Sequence, residues 1–253
     1  MSDITEITRS SRRIPLVLKV ALTAFVCVQV PFYWSAYGPT NFLYFCDIAL
    51  FLTLASVLSE KRLPASMAAV GILLPQLVWV IDFVGGMFGH PVVGMTSYMF
   101  QESQPLYARA ISLFHGWLPF LLLYVIYRQG YDRRALVAWT VLAWGLMLIA
   151  YFYLPPPPPP VNQPNLPVNV NYVYGISDDK PQEWMPPLAW LGVMLVGLPL
   201  VFFIPTHLLL SRLLGPAGIL RRQRPPCTIV VVEGSRSETV ADQHGSERLG
   251  RSG

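Results

Sequence analysis

The chain has 253 residues, 53% of them hydrophobic and only 13% charged, with a mean hydropathy of +0.46. A soluble domain carries roughly 25% charged residues, so this composition excludes an ordinary water-soluble fold and points to a bilayer. The net charge of +4 does not mark a nucleic-acid binder, because the Arg and Lys residues stand at the ends of apolar segments.

Residues 1–13 are polar and end in Ser11-Arg12-Arg13, ahead of the apolar run Ile14–Trp34. That run is long for a signal peptide and no small-x-small cleavage site follows it, which predicts a retained first span with Lys19 snorkelling near its start. A second span, about 41–58, is entered through a Gly38-Pro39 turn. The third, about 63–84, has Pro64 in its first turn and Pro75 at an expected kink. A loop over 85–107, rich in Gly, Pro, Met and aromatics, leads to a fourth span, about 108–127. A basic turn, 128–134, leads to a fifth, about 135–154. Six consecutive prolines, Pro155–Pro160, then form a polyproline spacer that cannot continue a helix. The loop continues over 161–187 to a sixth span, about 188–210, and the polar tail 221–253 is expected to be disordered.

The pattern predicts an all-α membrane bundle occupying 14–214, with six transmembrane helices of a length suited to a bilayer. Twelve Arg and Lys residues flank one set of span ends, whereas Arg109 and Lys180 are the two on the other. The positive-inside rule then puts both termini in the cytoplasm of a multi-pass protein of the plasma (inner) membrane, with the loops 85–107 and 155–187 outside. Cys27 and Cys46 lie in apolar runs and Cys227 in the tail, a pattern with neither a disulfide framework nor a metal-binding pair.

Ionisable residues inside a bilayer are costly, which marks them as candidates for function. With the second span entered at Asn41, Asp47 lies ~9 Å along the helix, and His115 lies ~10 Å along the fourth. Asp82 falls within about two turns of the same face. The three share one outer layer, where carboxylates can orient an imidazole as a general base. The plainer reading of each is a helix cap or an isolated hydrogen bond. Candidate attacking groups are water, Cys46 next to Asp47, and Tyr44 one turn away. Asn41, Asn171, Tyr172 and Trp184 are candidate substrate-binding or covering residues, the last three on the long outer loop. No HExxH, phosphate loop, dinucleotide fingerprint or GxSxG elbow occurs, so neither a metal nor another cofactor is expected. The expected partners are membrane lipids and not nucleic acid; the oligomeric state is not legible.

Three segments together resemble the androgen-induced family of membrane lipid hydrolases and related bacterial six-span proteins. In the first, Gly38, Phe42, Leu43, Phe45 and Asp47 are similar to a Gly followed by aromatic-Leu-x-Phe-x-Asp. In the second, His115, Leu118, Pro119 and Phe120 are similar to a fourth-span His followed by Leu-Pro-Phe. The third is Asn171-Tyr172 with Lys180-Pro181 ahead of the last span. The resemblance implies a six-helix bundle with an intramembrane ester-cleaving centre in which His115 is the base. The family's Thr nucleophile has no counterpart here, because Tyr44 occupies its position. The reading from the residues is a lipid-ester hydrolase or acyl transferase; a non-enzymatic scaffold or a small-solute or proton transporter is the alternative.

Overall fold

A computed structural model describes residues 14–102 and 104–215, and these are helical with no strand among them. The expected N-terminal segment 1–13 and the tail 221–253 lie outside the described residues. Helix α1 spans Leu16–Tyr37, α2 Phe45–Ser59, α3 Arg62–Met87, α4 Leu106–Ser112, α5 Phe114–Gln129, α6 Ala135–Tyr153, α7 Pro187–Leu198 and α8 Ile204–Leu214. Five helical segments are long and apolar enough to cross a membrane: Leu16–Tyr37, Arg62–Met87, Leu106–Gln129, Ala135–Tyr153 and Pro187–Leu214. The sixth, α2, has 15 residues.

The second helix begins at Phe45, four residues beyond the expected Asn41. Gly38, at φ +81°, turns the chain, Pro39–Leu43 forms a 3-10 turn, and Tyr44 is extended. The fourth segment is broken at Leu113, and the last contains a π-helical turn over Pro199–Phe203. Proline chemistry accounts for part of this. Pro199 has no N–H for the carbonyl four residues back, Leu195 O, and that oxygen accepts the Trp144 indole N–H at 2.8 Å.

Helix α3 is the centre of the bundle, packing against α2, α5 and α6 and touching α8. Its first half is buried on nearly every side, through Ala65, Ser66, Ala68, Ala69, Val70 and Gly71. Small side chains let helices approach closely, which matters where lipid removes the usual hydrophobic drive to associate.

The two ends of the bundle are fastened differently. At the end with the tight turns, Lys19 Nζ meets Glu60 Oε1 at 2.7 Å and the Asp132 amide donates to Ser66 Oγ at 3.0 Å. Arg134 pairs with Asp132 there at 2.9 Å and holds its carboxyl below the usual carboxylate range. At the other end, the two long loops fold back onto the helix mouths.

Candidate functional site

Asp47 stands in the first turn of α2, where the positive end of the helix dipole favours a carboxylate. It is 2% exposed. Its Oδ1 accepts Gln29 Nε2–H at 2.8 Å, and its Oδ2 accepts Asn41 Nδ2–H at 3.2 Å. Cys46 Sγ lies 4.0 Å from Oδ2. Gln29 is eight residues from the end of α1, about 12 Å along the axis. The 39–43 turn therefore dips between the helices, so Asp47 is deep although its helix has barely begun.

His115 sits just past the break in the fourth segment. There the Gly116 amide turns to Leu113 O at 2.9 Å instead of reaching Ser112 O. The freed Ser112 carbonyl meets His115 Nδ1 at 2.8 Å. A carbonyl only accepts, so the neutral ring carries its proton on Nδ1 and keeps a lone pair on Nε2. The imidazole is stacked on Trp79, with centroids 5.1 Å apart and planes at 18°, and flanked by Phe114 at 4.1 Å. Ser112 Oγ lies 3.3 Å from Tyr33 Oη. Tyr98, from the 85–107 loop, interacts with the side chains of both Ser112 and Trp79, and burial pushes its hydroxyl well up.

Asp82 does different work. It is fully buried, and its oxygens accept the amides of Val93 at 2.6 Å, Gly94 at 2.9 Å and Thr96 at 2.9 Å, and the Thr96 hydroxyl at 2.7 Å. These four bonds pin the loop to the end of α3. Among the described residues, no hydrogen bond joins Asp47, Asp82 and His115 to one another. Nor does any group of three His, Cys, Asp or Glu residues suit a metal ion. The imidazole expected to be oriented by Asp47 is held instead by the Ser112 carbonyl, because the helix break leaves that oxygen without an amide.

The long loop is ordered around two Asn residues in left-handed conformation, Asn169 at φ +51° and Asn171 at φ +59°. Asn171 Oδ1 accepts the Phe45 amide at 3.0 Å, and its Nδ2 donates to Leu43 O at 2.9 Å. Tyr44 Oη donates to Val168 O at 3.4 Å, so this residue is a fastener of the loop. Trp190 Nε1 donates to Tyr172 O at 2.8 Å, and Trp184, largely exposed, packs edge-on to Trp190. Burial pushes the Tyr172 hydroxyl up to about 12 and raises the Asp178 carboxyl. Replacing Asn171 with Ala strips both backbone groups of their partner and is expected to cost about 2 kcal/mol in thermal unfolding. Asn171→Asp keeps the acceptor for the Phe45 amide but sets an oxygen against the Leu43 carbonyl, and should not recover the loss; wild-type melting of both variants would refute the clasp.

Four residues of this region carry no sequence motif: Gln29, Tyr33, Tyr98 and Ser112. Gln29 was visible as the lone amide in the run 14–34, with Tyr33 one turn on and thus on the same face. His207 belongs to the opposite end, where its Nδ1 meets Tyr131 Oη at 2.7 Å, and His90 is exposed. Comparison with family models, with curated proteins and with solved structures yields no match.

Proposed function

We propose that the chain is an intramembrane hydrolase or acyl transferase acting on lipid esters, with His115 as general base. The observation that carries this reading is the imidazole itself. Its Nδ1–H is engaged by Ser112 O at 2.8 Å, it lies between Trp79 and Phe114, and its Nε2 retains the lone pair a base needs. In the reaction Nε2 takes a proton from water as the water oxygen attacks the ester carbon, then returns that proton to the departing alkoxide. Water is the preferred attacking group, because Tyr44 is spent on Val168 O and Cys46 neighbours Asp47.

In this reading the bundle crosses the inner membrane six times, with both termini cytoplasmic. Helix α2 supplies about 22 Å by itself, and the 3-10 turn ahead of it adds about 10 Å, enough together for the hydrocarbon layer. The twelve-to-two distribution of Arg and Lys supports the orientation.

The test uses purified protein in nanodiscs and a fluorogenic long-chain ester. His115→Ala should lower kcat/KM by about 10²–10⁴-fold in protein that still folds. Ser112→Ala, which keeps the carbonyl, should retain most of the rate. Wild-type turnover no faster than that of His115→Ala sinks the proposal. One observation favours a second reading, a non-enzymatic membrane scaffold: Asp82 uses its four hydrogen bonds to lock a loop onto a helix.

A further inference from the structure

We propose that Asp47 and Gln29 bind a single alkali cation between α1 and the start of α2. The inference stands apart from the ester-cleavage reading, since it uses neither His115 nor Ser112.

Asp47 is 2% exposed, and its hydrogen-bond partners are the neutral amides of Gln29 and Asn41 and the Cys46 thiol. The ion pairs among the described residues, Lys19–Glu60, Arg134–Asp132 and Lys180–Glu183, do not include it. A carboxylate withdrawn from water without a counter-charge is penalised by several kcal/mol, a cost that a bound cation offsets.

Gln29 is fully buried, and while its Nε2 donates to Asp47, its Oε1 has no hydrogen-bond partner. Both atoms belong to one planar amide, so the orphaned oxygen lies beside the carboxylate that its neighbour touches. A further buried oxygen without a partner, Thr40 Oγ1, belongs to the residue before Asn41 in the same 3-10 turn. An acceptor with unfilled lone pairs, on an amide already bonded to the carboxylate, is what a cation requires.

The donor set selects the ion. One carboxylate balances one positive charge, and amide and hydroxyl oxygens are hard ligands that suit alkali and alkaline-earth ions over transition metals. The backbone around Asp47 is of the right kind too. The Tyr44 break separates the 3-10 turn from α2, and irregular backbone at membrane depth is tolerated where it lines a polar site.

The experiment measures thermal unfolding of the full chain in detergent, in sodium, potassium or choline chloride at equal ionic strength and pH. Sodium should raise Tm by several degrees over choline in a concentration-dependent way, with the shift absent in Asp47→Asn and Gln29→Leu. Potassium matching sodium supports an unselective alkali site. Equal melting in sodium and choline overturns the proposal, as does a stabilisation that follows pH and ignores the alkali ion. Should the variants fail to fold, equilibrium dialysis of wild type against radioactive sodium decides. Saturable binding of about one ion per chain supports the site, and non-saturable uptake overturns it. Loss of ester turnover in His115→Ala with the sodium shift intact would separate the two readings.

Discussion

Asp82→Ala is expected to lower the unfolding free energy by about 4 kcal/mol or more. The substitution deletes a buried acceptor for three amides and one hydroxyl, and leaves the donors of Val93, Gly94 and Thr96 without that partner. Hydrogen bonds to a charged group are worth about 1.5–3 kcal/mol each, though losses within one network do not add fully. Asp82→Asn should not rescue the loss, because its amide group would point N–H against N–H. Thr96→Val removes one of the four bonds and should cost about 2 kcal/mol, which scales the larger effect. The measurement is thermal unfolding in detergent; a wild-type melt for Asp82→Ala would show that the 85–107 loop is not held from α3.

Gly71→Val should be comparably severe, for a steric reason. A β-carbon at Gly71 would stand 1.9 Å from Cε2 of Trp139, far inside van der Waals contact. The indole has nowhere to retreat, since it is fully buried and packs edge-on against Phe45 at 5.7 Å and Phe203 at 6.2 Å. Overpacking of this kind costs about 1–3 kcal/mol for a modest insertion, and the branched Val adds more. The indole Nε1 has no hydrogen-bond partner, so Trp139→Phe loses little polar stabilisation. Combining it with Gly71→Ala should recover part of the single-site loss, a coupling readable in a double-mutant cycle. A Gly71→Val protein within about 0.5 kcal/mol of wild type would mean that α3 and α6 are not in this contact.

The helices themselves were largely legible, because long apolar runs closed by Pro, Gly and Arg fix where they begin and end. The breaks were less so. The break at Leu113 lies six residues ahead of Pro119, inside an apolar run that gives no sign of it. The start of the second helix was misplaced because a Gly-Pro turn reads the same whether a 3-10 turn or an α-helix follows it.

The candidate site was half legible. Asp47, Asp82 and His115 stood out as ionisable groups in apolar surroundings, but each partner lies where no local pattern points. Gln29 is 18 residues from Asp47, and its role depends on the depth to which the 39–43 turn descends. Asp82 and the 93–96 segment were both in view, yet nothing in their spacing says that three amides turn toward one carboxylate. Ser112 could be linked to His115 only by knowing that the helix breaks between them.

The Asn171 clasp has a consequence for how the chain is made. The Phe45 amide and the Leu43 carbonyl wait for a partner 126 and 128 residues further on. At ribosomal rates of about 5–20 residues per second, that partner is synthesised roughly 6–25 s later. During that interval the mouth of α2 has two backbone groups that its own half of the protein cannot satisfy. Water or the insertion machinery must serve them, and the first half of the bundle stays unsealed until the last crossing is being threaded.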